Sequence, residues 1–371
     1  MSKKKVLIIS EPGNGGVARH VIDLLGNLNK DKFEVYFIYS SKRADKKYLK
    51  NIACLKSEIK AFKIDEMQSK IKPYDDFISL IKILSIIKKI NPDIVHCHSS
   101  KAGVLGRIAA KFVGVKKIFY TPHAYSFQNT HLSVSKRKVF IIIEKIMSKY
   151  FTDKTFNVSI GEKRIAIESL NDNEDKFVVI NNGVDKKNDS FNIDELCKRY
   201  NIIQSDYIIG NISRLDEQKN PIEFFKIAQK MICDDLNMKF VWIGNGVLFK
   251  VIENFIKNNN IDDKCLLLPY NEKTEQLINR FDLFLCTSLY EGYPYVLLDA
   301  CVNEIPIVCS DVIGNNDIVA NNVNGFLYPL GDIEKAENRI CAVKEGFKLE
   351  KINIQSIKKM VNMIEAEYGS N

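Results

Sequence analysis

Two carboxylates, Glu291 and Asp299, stand eight positions apart in a stretch that also holds Gly292, Tyr293, Pro294 and Tyr295. Gly292 and Pro294 turn the chain into a helix, exposing backbone amides at its start beside Glu291, with Asp299 further along. One carboxylate can then accept from a sugar hydroxyl while the other reaches a ribose. Upstream, Arg214 and Lys219 lie in a strand-to-helix loop that ends at Pro221. Two fixed cations beside helix amides suit a diphosphate, whose negative charge rises as it departs; a solvated charge pair is the alternative. Gly244 and Gly246 flank Asn245 after an apolar run and allow another close backbone approach.

The first half offers a second set. Gly15 and Gly16 follow a strand and open a helix, where amides favour an anion; they fit a plain structural turn equally well. The pattern is not the dinucleotide G-x-G-x-x-G, and Ser40 and Ser41 stand where an acidic ribose anchor would end the second strand, so a nicotinamide cofactor is disfavoured. His96 and His98 alternate on one strand face without an evident third ligand, which favours packing or hydrogen bonding over a metal. Ser99, Ser100 and Lys101 come next. His123 follows another strand inside a polar loop, which points to a functional role over backbone capping.

Short β-rich runs alternate with helical patterns, predicting two doubly wound parallel sheets in tandem. Strands are expected at Lys5–Ser10, Glu34–Tyr39, Asp93–His98, Lys117–Thr121, Lys154–Ser159 and Phe177–Asn181, with helices at Val17–Leu28, Tyr74–Ile90, Ala102–Phe112 and Ser135–Tyr150. The second series predicts strands Tyr207–Ile212, Lys239–Ile243, Leu266–Leu268, Leu283–Cys286 and Ile307–Cys309, with helices near Pro221–Met231, Val247–Asn258, Thr274–Asn279 and Tyr295–Val302. The expected division is a domain over 1–185, a polar linker over 186–200, a domain over 201–350 and a terminal helix within 351–371, whose docking site the pattern does not reveal.

Composition narrows the classes. No apolar run reaches the roughly 20 residues a bilayer requires, and none reads as a signal sequence. Nine scattered cysteines without a C-x-x-C pair argue against a zinc site or disulfide framework and for a reducing compartment. Residues 1–150 carry 29 Lys and Arg against 12 Asp and Glu, while the rest carries 25 against 34. The basic half therefore faces something anionic. Lys136, Arg137, Lys138, Lys145 and Lys149 surround Ile141, Ile142, Ile143 and Ile146, which resembles a membrane-surface helix more than a nucleic-acid groove. A lysine-rich solvated face from coding bias is the other reading, and nucleic acid is disfavoured because no basic strand is interleaved with aromatics.

Together these motifs resemble the GT-B glycosyltransferases of family 4, the retaining group, from Val6 to about Leu330. The run from His96 to Gly103, followed by Tyr120 to His123, is similar to members that build bacterial surface polysaccharides such as O-antigen. The resemblance implies two Rossmann-like domains with an interdomain cleft, and a sugar, N-acetylhexosamine or hexose, passed from a UDP-sugar to a polyprenyl-diphosphate-linked saccharide. It implies a cytoplasmic enzyme, peripheral on the cytoplasmic face of the inner membrane, with an anionic membrane surface as partner and neither cofactor nor metal. His123 would lie beside the transferred sugar, Arg214 and Lys219 on the diphosphate, and Glu291 near the sugar ring. Gly15, Gly16, Gly244, Gly246, Tyr270 and residues Gly292 to Tyr295 would complete the donor side, and Ser99, Ser100 and Lys101 the acceptor side. Asp299 replaces a glutamate that holds the ribose hydroxyls in the family, shortening that arm by one methylene. No carboxylate is placed as a nucleophile, so departure and attack on one face, assisted by the leaving phosphate, fits better than a covalent intermediate. A non-transferring relative such as a UDP-sugar 2-epimerase, or a nucleotide-sugar-binding or membrane-scaffolding protein without turnover, stays open.

Overall fold

The computed structural model describes residues 3–186, 193–232, 237–271 and 273–370. The chain forms two compact units, one of Met1–Gly183 with Gln355–Asn371 and one of Val184–Ile354.

In the first unit, seven strands run β1 (Lys4–Ser10), β2 (Phe33–Tyr39), β3 (Ile59–Lys63), β4 (Ile94–His98), β5 (Lys117–Thr121), β6 (Lys154–Asn157) and β7 (Phe177–Val179). They lie in the order β3-β2-β1-β4-β5-β6-β7, every pair parallel. Val6 to Ile9 are fully buried, as a central parallel strand covered by helices on both faces must be. The helix Gly15–Asn27 buries Ala18, Val21, Leu24 and Leu25, a helical stripe. The second unit has β8 (Tyr207–Ile212), β9 (Met238–Ile243), β10 (Cys265–Leu268), β11 (Leu283–Cys286), β12 (Ile307–Ser310) and β13 (Phe326–Tyr328), in the order β10-β9-β8-β11-β12-β13, again all parallel. Each sheet reverses its strand order once, between β1 and β4 and between β8 and β11. Ligands of doubly wound sheets bind outside the carboxyl ends at those points.

All the expected strands form. The sequence pattern did not reveal β3, β13, or the helices Lys46–Cys54, Ile160–Leu170, Ile193–Arg199 and Ile333–Lys344. The expected helix near Thr274 is a 3₁₀ turn, Thr274–Arg280. Of the expected linker, 187–192 lie outside the described residues, and 193–199 are helical. The terminal helix, Ile357–Gly369, is part of the first unit and no separate element: it packs on Gly15–Asn27 and buries Met360, Val361, Ile364 and Tyr368. Among the described residues no helix is long and apolar enough to cross a membrane, and all eight described cysteines are free thiols.

Candidate functional site

The loop after β8 carries Arg214 and Lys219 on a tightly held frame. Asp216 accepts from the Lys219 amide and starts a 3₁₀ turn, Glu217–Lys219, after which Asn220, in the left-handed region, leads into Pro221 of the next helix. The Lys219 and Asn220 carbonyls accept from Thr287 Oγ1, at the end of β11. Gln218 ties this loop to the one after β11: its carbonyl accepts from the Leu289 amide at 2.8 Å, its side-chain amide donates to the Tyr290 carbonyl at 3.0 Å, and its side-chain oxygen accepts from Arg214 Nη2 at 3.1 Å. Lys219 Nζ thereby meets Glu291 Oε1 at 2.5 Å, with side chains only 13% and 7% exposed. Arg214 is different: it pairs with Asp216 at 3.1 Å and stays 40% exposed. Both cations are thus paired with a carboxylate, Lys219 almost out of water and Arg214 at the surface.

Behind Glu291, Gly314 adopts φ +86°, and a Cβ there would lie 2.8 Å from Glu291 Cβ and from the Gly292 carbonyl. Ser310 Oγ donates to the Ser288 carbonyl and Asn315 Nδ2 to the Ser310 carbonyl, bracing the same turn. The helix Tyr295–Val302 follows Pro294, its first amides facing the carboxyl edge of the sheet. Asp299 lies half-buried within that helix. Burial pushes the Tyr293 phenol up to about 12, so it acts as a neutral hydrogen-bonding group. Tyr270 donates to Glu275 at 2.9 Å. Gly244 and Gly246 have a reason within the fold itself: a Cβ on either would strike the Ser213 or Leu215 carbonyl, so their close approach is to the Arg214 loop.

In the first unit, the loop after β5 holds two consecutive residues of positive φ, His123 at 55° and Ala124 at 75°. Such backbone costs about 1–3 kcal/mol per residue and persists only when held. Glu162, fully buried, holds it: one carboxylate oxygen accepts from the Ala124 amide at 2.6 Å and the other from the Val158 amide at 2.7 Å. His98 Nδ1 contacts His123 Nε2 at 3.1 Å, and the His20 ring meets His123 edge-on at 4.7 Å between centroids. Burial drives all of these imidazoles toward the neutral form, His20 down to about 4 and His98 and His123 well below the usual range, with neighbouring imidazoles adding to the shift of the last two. His96 is a packed, hydrogen-bonded residue, with Tyr368 Oη at 2.7 Å and Thr121 Oγ1 at 2.8 Å. The third nitrogen donor beside His98 and His123, which the strand pattern did not supply, is His20, from the first helix.

Gly15 takes φ +67° at the start of its helix, with open space around it. Ser99 sits at φ +68° with its hydroxyl buried, and Ser100 shares a hydrogen bond with Ser126 at 2.6 Å. Lys101 has its charge engaged, both Asp76 oxygens lying at 2.6 Å. Sequence reasoning missed His20, Glu162, Gln218 and Gly314. Of these only His20, on the helix opened by Gly15, carried a visible signal, since the protein has just five histidines.

Two family profiles match the chain: "Glycosyltransferase Family 4" over residues 14–188 and "Glycosyl transferases group 1" over 192–360. An Escherichia coli UDP-Gal:alpha-D-GlcNAc-diphosphoundecaprenol alpha-1,3-galactosyltransferase is 31% identical over 317 residues, covering 83% of this chain and 81% of that one. The Staphylococcus aureus capsular polysaccharide biosynthesis glycosyltransferase CapM is 25% identical, covering 90% and 84%. Among solved structures, Anabaena HepE in complex with UDP-glucose superposes with a TM-score of 0.80 at 18% identity, covering 99% of this chain and all of that one. That likeness shows the fold.

Proposed function

The chain belongs to the family 4 glycosyltransferases of GT-B fold, and from that premise we propose that it transfers a hexose or N-acetylhexosamine, with retention, from a UDP-sugar to a polyprenyl-diphosphate-linked saccharide. It is an enzyme of the hexosyltransferase type acting in surface polysaccharide synthesis. The observation that carries the finer reading is the joined pair of loops in the second unit, where Gln218 fixes Arg214 and Lys219 against the Glu291 turn and the helix start at Tyr295.

Each residue's task follows from its setting. Arg214, open and planar, presents a fork to the leaving diphosphate. Lys219 supplies a second positive charge from a drier position, where it is worth more as charge develops. Glu291, hydrogen-bonded to that lysine, is a poor nucleophile and a good acceptor for a sugar hydroxyl. A one-face mechanism, in which the departing phosphate takes the acceptor's proton, fits that arrangement. Asp299 reaches toward the ribose with a shorter arm than glutamate. Neutral His123 serves as a hydrogen-bond partner of the sugar, since an imidazole held unprotonated carries no charge that would oppose the oxocarbenium-like centre. Gly15 and Gly16 approach the donor phosphate, and Ser99, Ser100 and Lys101 line the acceptor side. The relative from Escherichia coli supports the choice of a UDP-hexose and a lipid-diphosphate acceptor.

The protein reaches its acceptor by resting on an anionic membrane. The helix Val134–Phe151 exposes Val139, Ile142, Ile146 and Tyr150 beside Lys138, Lys145 and Lys149, an apolar stripe edged with cations. A UDP-release assay across UDP- and GDP-sugars, with and without a short lipid-diphosphate N-acetylglucosamine acceptor, tests the donor reading. Acceptor-dependent release from one UDP-hexose supports it; release from GDP-sugars alone overturns it.

A further inference from the structure

Four of the protein's five histidines gather at the carboxyl edge of the first sheet. His96 is committed at both ring nitrogens, to Tyr368 and Thr121. The other three each bring one nitrogen to within 4.8 Å of the others. We infer that His20, His98 and His123 form a binding site for a divalent transition-metal ion of the Zn²⁺ class.

One nitrogen pair of the trio already has the spacing such an ion needs. Two imidazole nitrogens bound at about 2.0–2.1 Å in a tetrahedral set lie about 3.3 Å apart, and His98 Nδ1 and His123 Nε2 lie at 3.1 Å. His20 is oriented by its other nitrogen: Nδ1 faces Asn182 Oδ1 at 3.0 Å, and an amide oxygen can only accept. That fixes the proton on Nδ1 and leaves the lone pair on Nε2, the arrangement by which a carbonyl oxygen orients a metal-bound histidine. The second ring nitrogen of His98 is buried without a hydrogen-bond partner, and the ring is held by packing on His96 and His20 and by its contact with His123. Burial keeps the three imidazoles neutral, the form that ligates. His20 and His98 are buried whereas His123 is half-exposed on its loop, so an ion arrives from the His123 side and keeps at least one position for water. An all-imidazole set selects Zn²⁺, Cu²⁺ or Ni²⁺ over Mg²⁺ and Ca²⁺.

Binding rests on this trio alone; its consequence for activity rests on the transfer reading, because an ion on His123 takes that ring from the sugar. Micromolar Zn²⁺ then inhibits, and a chelator relieves the inhibition. The test uses chelator-stripped full-length protein dialysed against micromolar Zn²⁺, with metal content read by mass spectrometry and, separately, the visible spectrum after Co²⁺ loading. The expected result is one ion per chain and the intense bands of low-coordinate Co²⁺ in the wild type and in His131→Ala, which alters the remaining histidine. Affinity should fall in His123→Ala, which changes a loop residue, and in His20→Asn. Asn182→Ala should weaken it by about 10–100-fold, the cost of losing an orienting partner. Thermal melts without metal separate misfolding from ligand loss. A wild type that retains no Zn²⁺, or retention unchanged in both His123→Ala and His20→Asn, overturns the inference whatever the transfer assay shows.

Discussion

Replacing Lys219 with methionine removes a charge while keeping much of the stem, and it separates structural pairing from catalysis. The change strands Glu291, whose side chain is 7% exposed and whose partner stood 2.5 Å away. Removing one member of a buried ion pair costs about 3–5 kcal/mol; because Lys219 keeps some water, the lower end applies. A unit of this size loses roughly 2–4 °C of melting temperature per kcal/mol, so Lys219→Met should melt about 6–12 °C lower. Adding Glu291→Gln removes the stranded charge, and coupling between contacting residues of about 0.5–3 kcal/mol should return much of that loss. Activity should behave otherwise. If Lys219 stabilises charge on the departing diphosphate, kcat falls about 10²-fold, as for loss of a single oxyanion donor, and the double variant does not regain it. Measuring kcat, KM and melting for the wild type, both single variants and the double variant decides the matter. A kcat for Lys219→Met within about threefold of wild type, the range of a neutral surface site, or recovery of kcat in the double variant, would rule out that role for Lys219.

Arg214→Ala should lower kcat by about 10²-fold with little effect on melting, since that side chain is exposed, and Arg214→Lys should recover only part because a point charge cannot reproduce the planar fork; equal activity of the two variants would contradict this. Vesicles containing anionic lipid should bind the protein in a salt-sensitive way, and Lys138→Glu, Lys145→Glu and Lys149→Glu together should weaken binding by about 3 kcal/mol or more, from about 1 kcal/mol per basic residue near the surface; sedimentation with neutral vesicles to the same extent would show that charge is not the cause. Acidification should destabilise the first unit: His20 is held near 4, below the 6.5 of an unfolded histidine, so its contribution is present above about pH 6.5 and is lost as pH falls toward 4. At pH 5 His20 alone accounts for about 2 kcal/mol. His96, His98 and His123 act in the same direction, and a melting temperature unchanged from pH 7.5 to 5 would refute it.

Alternation of buried strands and amphipathic helices was legible because the central strands are continuous apolar runs, as in Val6 to Ile9. Two of the four edge strands were not: β3 reads Ile-Lys-Ala-Phe-Lys, with lysines breaking the apolar run, and β13 is only three residues long. The motif residues Arg214, Lys219, Glu291 and His123 were legible from their positions after strands. What the pattern could not give was how they are held. Gln218 is an ordinary polar residue until its carbonyl and side chain bridge two loops, and Glu162 is 39 positions beyond His123 yet holds the neighbouring backbone amide. Gly244 and Gly246 show the converse: glycines expected at a ligand are required by the Ser213 and Leu215 carbonyls of the adjoining loop. His20 came from a separate helix, and a strand-face argument about His96 and His98 could not reach it.

Retaining transfer from a UDP-sugar by protein side chains alone can be read in a single experiment. Proton NMR of one reaction, run in EDTA with UDP-α-galactose and a lipid-diphosphate N-acetylglucosamine acceptor, reads transfer and stereochemistry together. A galactosylated product with an α anomeric signal, formed at an undiminished rate in EDTA, is expected. A β anomeric signal, or product that forms only after Mn²⁺ is restored, would contradict it.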